Sequence, residues 1–352
     1  MTKIKNKELI IISKLLDWYK YNKRKLPWRK IYKKKLPYPF SIFISEFMLQ
    51  QTTVSTVVDR FSLFLNLWPN NKELSKINEN KILNFWSGLG YYSRAKNLLK
   101  SSKIIALKHN NRIPQNYNDL ISLPGIGDYT AKAILGIAFN KPYMPVDANI
   151  ERIIARLYGI IDFSNLNKKK IYNKSNKYIS KKKSSDLIQA FMDYGSKICI
   201  PRNPNCDKCV IKISCISFKK KLTNIIPKKI QKKKRIKFTR AYLLINEKKE
   251  ILIRRRSDKG MLPSMLEFPN DKWQYNKKDL RKDQIIRNYN KSIIKYNSIK
   301  YSFSHFDLFI DIYLGYVKKE TIHSHKWIKL NNVNKIGFPT IMKKIYESYK
   351  IN

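Results

Sequence analysis

Acidic residues are scarce in this chain. Only 25 Asp and Glu stand against 73 Lys and Arg, a formal charge of +48. Such a deficit points to a polyanionic partner, because basic surfaces release counterions from phosphate backbones. A bland reading stands beside it. The chain is saturated with Lys, Asn and Ile, as AT-rich coding would produce, and runs such as 181–183 and 232–234 then read as solvated surface. Long apolar runs are also missing. None reaches the roughly 18 residues of a spanning helix, which excludes that class and predicts a soluble protein without membrane contact. The N-terminus, MTKIKNKELI, lacks the apolar core of a secretory signal, so a cytoplasmic, reducing setting is expected.

Cysteine is rare too. The four, Cys199, Cys206, Cys209 and Cys215, all fall within seventeen residues, separated by gaps of six, two and five. Scattered core cysteines would not cluster in this way, so one ligand set is the economical reading. Disulfides are disfavoured in a reducing compartment, where cysteine clusters are more often metal sites. Zinc ribbons usually pair two CxxC knuckles, and only Cys206 and Cys209 have that spacing. An iron–sulfur cubane tolerates uneven spacing around a wrapped loop. It is favoured over zinc, which stays open.

What is present is organised in two parts. Up to about residue 220 the period is helical. ELIIISKLLDWYKYN and VSTVVDRFSLFLNLW carry apolar residues three and four apart, and Pro, Gly and Asn punctuate such segments. A basic, Pro-containing stretch, residues 221–237, reads as a linker. From 238 to 352 the pattern is α+β. RAYLLINEKKEILIRRR predicts two strands around a polar turn, and YSFSHFDLFIDIYLGYV alternates like a strand. No internal repeat is visible.

Three features carry chemistry. LISLPGIGDYTAKAILGIAF (120–139) reads as two helices about a tight Pro124–Gly127 turn, a helix-hairpin-helix signature spanning about 115–139. Gly125 and Gly127 let a backbone approach closely, and a helix restarting at Asp128 offers free N–H groups to a phosphate. Glu46 sits among Ile42, Phe43 and Leu49 at helical spacing, so burial should raise its pKa and suit it to general acid work. The plainer reading is a surface glutamate paired with a lysine. Asp147 precedes a helix, where an N-cap is the ordinary use of Asp, and Asn149 is equally ordinary as a helix-start residue.

The chain resembles MutY-type adenine DNA glycosylases of the helix-hairpin-helix superfamily. The matching segments are LPWRK (26–30), SEFMLQQT (45–52), WSGLGYYSRAKNL (86–98), LPGIGDYTA (123–131), VDAN (146–149), the four-cysteine loop and FSH (303–305). They cover most of the chain in the family's order. SEFMLQQT with GLGYYSRA is highly specific, whereas the hairpin alone marks only the superfamily. The resemblance implies an all-α helix-hairpin-helix glycosylase domain over 1–220, a [4Fe-4S] loop at 199–215, and an α+β Nudix-like domain over 238–352. It implies hydrolytic removal of adenine mispaired with 8-oxoguanine or guanine in double-stranded DNA by a monomer, with the bacterial nucleoid as its place.

The same resemblance implies residue roles. Glu46 protonates adenine and then helps activate water. Asp147 stabilises the sugar cation by charge or a transient covalent bond, a logic parallel to two-carboxylate glycoside hydrolysis. Tyr129 and Asn149 support this site, and Gln189 contacts the flipped adenine. Gln51 and Tyr91 wedge into the duplex, a need of any enzyme that takes a base out of the stack. Thr52 and Leu89 belong to the same DNA-contacting motifs, and Arg202 meets a phosphate. Phe303, Ser304 and His305 read 8-oxoguanine. The bland alternatives are a core aromatic at Tyr91 and an ordinary strand at 303–305. In the endonuclease III branch a lysine nucleophile stands where this chain has Tyr129, and Lys132 lies nearly one helical turn further on. A monofunctional enzyme is therefore expected over a bifunctional glycosylase/lyase. A non-catalytic iron–sulfur DNA-binding module is the third reading, and the Glu46/Asp147 pair argues against it. Ala148 departs from the family's usual Gly and needs a permissive backbone. The stretch 254–270 lacks the Glu-rich motif of pyrophosphohydrolases, so no active metal site is expected there.

Overall fold

The computed structural model describes residues 2–33, 36–228, 234–257, 259–288, 293–318 and 325–350. Part of the expected linker, 229–233, and Asp258 lie outside them. Two compact units emerge. One comprises Met1–Lys76 and Asn97–Ile230, the other Ile77–Lys96 and Gln231–Asn352. Among the described residues no helix is long and apolar enough to cross a membrane.

The described helices are α1 (Thr2–Asn22), α2 (Pro39–Leu49), α3 (Val54–Leu67), α4 (Asn71–Ser75), α5 (Glu79–Trp86), α6 (Ser93–Lys108), α7 (Tyr117–Ile121), α8 (Asp128–Phe139), α9 (Ala148–Tyr158), α10 (Asn165–Ser175), α11 (Ser184–Lys197), α12 (Ile216–Lys219), α13 (Gln284–Asn288) and α14 (Thr340–Lys350). The strands are β1 (Ile31–Lys33), β2 (Leu36–Pro37), β3 (Arg235–Ile245), β4 (Glu250–Arg255), β5 (Leu266–Glu267), β6 (Ile293–Ser302), β7 (Phe306–Tyr316) and β8 (His325–Lys329).

The first unit is helical apart from the β1–β2 pair. Helix α2 starts with Pro39 in its first turn, where a missing N–H costs nothing. Residues 40–48 of α2 are all buried, as expected of a helix that is apolar all round and central to its core. Asp147 caps α9, and Gly159 ends it at φ 68°. Helix α7 ends at Ile121 and α8 restarts at Asp128, so the hairpin turn lies where the Pro-Gly signal put it.

The second unit carries a mixed sheet in the order β5-β4-β3-β7-β6, with β8 also paired to β4. Strands β3 and β7 run parallel over eleven residue pairs, and the other pairings are antiparallel. One sheet face packs Leu243, Ile251, Leu308 and Ile310 with Phe338, Ile341 and Ile345 from the α14 region. Tyr242, Leu244 and Leu252 pack with Ile286 of α13 in a second cluster. The single strand expected from residue 301 to 317 is instead a hairpin. β6 ends at Ser302, 303–305 turn, and β7 begins at Phe306, with Phe303 N–H donating to Phe306 O at 2.9 Å. Phe-Ser-His lacks the Gly and Asn that usually announce such a turn, and its only mark is the polar pair Ser304 and His305, across which the apolar positions pass from odd to even.

Candidate active site

A cavity of about 700 Å³ in the helical unit gathers Glu46, Tyr129, Asp147, Asn149 and Gln189, with Gln51 and Thr52 on its wall. Burial, then the charge of Asp147, pushes Glu46 up to about 8. The predicted burial is therefore present, and no lysine neutralises the group among the residues lining the cavity. Asp147 is both things the sequence allowed. Its Oδ1 accepts from Ile150 N–H at 2.7 Å as the N-cap of α9, and its Oδ2 accepts from Asn149 Nδ2 at 2.9 Å. Burial raises its pKa against these hydrogen bonds. Ala148 opens α9 without needing a left-handed backbone. Tyr129 is raised well above its ordinary value by burial, then by Glu46 and Asp147, so it stands neutral beside both carboxyls.

Gln189 donates its Nε2 to Ser185 O at 3.1 Å and to Ser185 Oγ at 3.2 Å, while its buried Oε1 has no partner among the described residues. Sequence reasoning missed the wall around it. Fully buried Asp193 binds Arg24 through its backbone N–H at 2.9 Å and its Nε at 2.5 Å, and Arg29 at 2.7 and 3.0 Å. Burial alone would raise Asp193, but the two guanidiniums outweigh it and hold it below the ordinary value. Arg152 was missed as well. Its Nη2 reaches Asn149 Oδ1 at 2.9 Å and Gly195 O at 2.7 Å, while its Nε reaches Cys199 O at 2.7 Å. Asp193 is four residues beyond Gln189 on α11, and Arg152 is three beyond Asn149 on α9. Helical spacing from Asn149 was the available signal for Arg152, whereas the partners of Asp193 lie far off in the sequence.

At the hairpin, Gly125 adopts φ 83°, and a Cβ there would meet Asn97 at 2.8 Å and Phe47 at 2.9 Å. Gly127 caps α8, and a Cβ there would meet nothing within 4 Å. Its place is thus open to close approach by another backbone. Lys132 pairs with Asp128 at 2.7 Å and contacts Tyr172 instead of lining the cavity. Gln51 is exposed at φ 57°.

The four cysteines line one small pocket with Arg156, Ile198 and Phe218. Among the described residues no three Cys, His, Asp or Glu side chains converge on a single ion. Arg156, 1 % exposed, donates to Cys199 Sγ at 3.3 Å and to the carbonyls of Ile200 at 2.7 Å, Pro201 at 3.0 Å and Ile226 at 2.8 Å. Among the described residues no carboxylate pairs with this buried cation. Arg202 is exposed.

In the second unit, Phe303, Ser304 and His305 line a cavity of about 500 Å³ with Gly88, Leu89 and Tyr91. Ser304 and His305 are exposed, and the Ser304 hydroxyl bonds the Tyr91 hydroxyl. Phe303 packs on Trp273, Tyr301 and Phe306, so its ring anchors the turn. Leu89 is 5 % exposed; its side chain is packed inward, and its carbonyl accepts from Arg94. In the stretch expected to lack a metal site, Glu267 is occupied by Arg254 at 2.8 Å and by Arg256.

Comparison with known proteins now places the chain. Residues 44–181 match the HhH-GPD superfamily of base excision DNA repair proteins, and 240–348 match the NUDIX domain. An adenine DNA glycosylase of Buchnera aphidicola (Schizaphis graminum) is 35% identical over 96% of this chain and 97% of its own length. The chain belongs to the adenine DNA glycosylase family. A Mus musculus member is 33% identical over 59% of this chain and 42% of its own length. A thermostable thymine-DNA glycosylase superposes with a TM-score of 0.54, at 27% identity over 61% of this chain and 98% of its own. An endonuclease III–DNA complex, 22% identical over 62% of this chain and 98% of its own, shares the fold at a TM-score of 0.52.

Proposed function

We propose that this chain hydrolytically excises adenine from duplex DNA, with preference for adenine opposite 8-oxoguanine, and leaves the strand uncut. The observation that carries this reading is one cavity holding a buried carboxyl poised near neutral pH, a second carboxylate at a helix N-terminus, and an unpartnered amide oxygen. The amide oxygen of Gln189 can accept from the exocyclic amino group of adenine. Protonated Glu46 gives its proton to the purine ring as the C1′–N9 bond breaks and the electron pair leaves with the base. Asp147 balances the cationic sugar, where fixed charge acts most strongly in a dry site. Water then adds to C1′ and returns a proton to Glu46. Neutral Tyr129 fills the place where a lysine would attack C1′.

Phe303, Ser304 and His305 are assigned to the 8-oxoguanine side. The oxidised base differs from guanine by an oxygen at C8 and a hydrogen on N7. A serine hydroxyl can both donate and accept, which suits Ser304 to that edge. Single-turnover assays on A:8-oxoguanine and A:G duplexes, with and without alkali, test the whole reading. Base release faster on A:8-oxoguanine, strand breaks only after alkali, and little borohydride-trapped complex are expected. Trapping at the rate of base release would overturn the monofunctional assignment in favour of a lyase.

The donor set fits a [4Fe-4S] cluster held by Cys199, Cys206, Cys209 and Cys215. Four thiolates suit a cubane, and buried Arg156, with no carboxylate partner among the described residues, would gain its counter-charge from them. Its place is structural, folding the loop that presents Arg202 to phosphate. Anaerobically purified protein should contain about four iron and four sulfide per chain. One tightly held zinc without sulfide would reject the cluster.

A further inference from the structure

The turn that carries Tyr91 is strained. Gly88 stands at φ 95°, Gly90 at 69° and Tyr91, with a full side chain, at 48°. A left-handed backbone at a residue with a full side chain is disfavoured and persists only when its surroundings over-determine it. Two sets of contacts do so here. From within the segment, Arg94 Nη2 donates to Leu89 O and Gly90 O, both at 2.9 Å, and Trp86 Nε1 donates to Gly90 O at 3.2 Å. From the C-terminal part of the same unit, one carbonyl takes both hydroxyls that flank the turn. Phe338 O accepts from Ser87 Oγ at 3.2 Å and from Tyr92 Oη at 3.4 Å. Phe338 is itself fully buried and packs on Phe268 at 4.9 Å, so this acceptor is fixed to the sheet core. Its neighbour Gly337 passes so close to α5 that a Cβ would lie 2.5 Å from Asn84 Oδ1 and 3.2 Å from Asn84 Cα. Tyr91, the exposed member of the turn, then meets Ser304.

We propose that the Gly337–Phe338 backbone is a positioning element for mispair recognition: its carbonyl clasps Ser87 and Tyr92 and so holds Tyr91 in the strained pose beside Ser304. This rests on the reading of Tyr91 and 303–305 as the base-reading elements. None of the three clasp residues needs to touch DNA. The clasp fixes the shape of a turn, and through it the spacing between a wedge and a reading loop.

The test uses the full chain with its cysteine-bound cofactor. The measurement is the ratio of apparent affinities for A:8-oxoguanine and A:G duplexes at one fixed salt concentration, beside single-turnover excision at saturating enzyme. Ser87→Ala with Tyr92→Phe removes two neutral hydrogen bonds and should lower the ratio about five- to tenfold, with excision from A:8-oxoguanine within about twofold of wild type. Gly337→Ala should do the same, and adding Asn84→Ala should restore part of the ratio. Tyr91→Ala alone should lower the ratio, and combining it with the Ser87/Tyr92 pair should lower it no further, because the clasp acts only through Tyr91. Fully additive losses would mean general loosening of the unit and would overturn the proposal. An unchanged ratio in the Ser87/Tyr92 variant, with a lowered one in Tyr91→Ala, would overturn the clasp and keep the reading of Tyr91. Unchanged ratios in both Tyr91→Ala and Ser304→Ala would remove that reading and the proposal with it.

Discussion

Glu46→Gln should abolish adenine excision, by about 10³-fold or more, while duplex affinity stays near that of the native chain. Positioned general acids contribute roughly 10²–10⁴-fold, and an amide has no proton to give. The same substitution should also stabilise the fold. Glu46 is pushed from 4.5 to about 8 by burial and then by Asp147. The folded chain therefore keeps a proton that the unfolded chain has released between those two values. Stability falls as pH rises through that window, by ~4 kcal/mol as an order of magnitude once pH reaches the folded value. A neutral amide at this position carries no such cost. Thermal melts from pH 5 to 8 should show native stability declining more steeply than that of the variant. The native excision rate should fall above about pH 8 as Glu46 loses its proton. The acid limb should be shifted up from the ordinary aspartate value, since burial raises Asp147 too; both limbs belong to the coupled pair. A Glu46→Gln chain with a tenth of native excision, or a native rate still flat at about pH 9.5, would remove Glu46 from the acid role.

The reason Glu46 was legible is local. A lone carboxyl among Ile42, Phe43 and Leu49 declares its burial within one helical turn. The hairpin turn was legible from Pro124 and Gly125 in the same way. Asp193 was not. Its partners Arg24 and Arg29 lie 169 and 164 residues away in sequence, and no local period records such a pairing. The grouping of Ile77–Lys96 with the C-terminal unit was hidden for a related reason. The apolar stripe of ENKILNFW shows that α5 buries a face, not which chain segment covers it. The turn at 303–305 carries no Gly or Asn, and its one sign in the pattern is the adjacent polar pair Ser304 and His305, where the apolar alternation changes phase from odd to even positions. A break that small is easily read as one strand, and the resemblance marked the loop more plainly.

Asp147→Asn isolates charge from structure, because asparagine caps a helix as well as aspartate does. The bond from Ile150 N–H to the side-chain oxygen survives the change. The contact with Asn149 Nδ2 does not, since one of the two amides must turn, at a cost of about 1 kcal/mol. Relief of a buried carboxylate offsets that cost, so the melting temperature should barely move. Excision should nevertheless fall by about 10³-fold, the scale on which a preorganised electrostatic partner acts at a developing charge. Asp147→Ala removes both roles. It should be as inactive as the Asn variant yet less stable, by about 1 kcal/mol for the lost cap. Circular-dichroism melts of both variants beside single-turnover excision on the A:8-oxoguanine duplex make the separation. An Asn variant keeping more than a tenth of native excision would reduce Asp147 to its N-cap and leave the sugar cation without the counter-charge assigned to it.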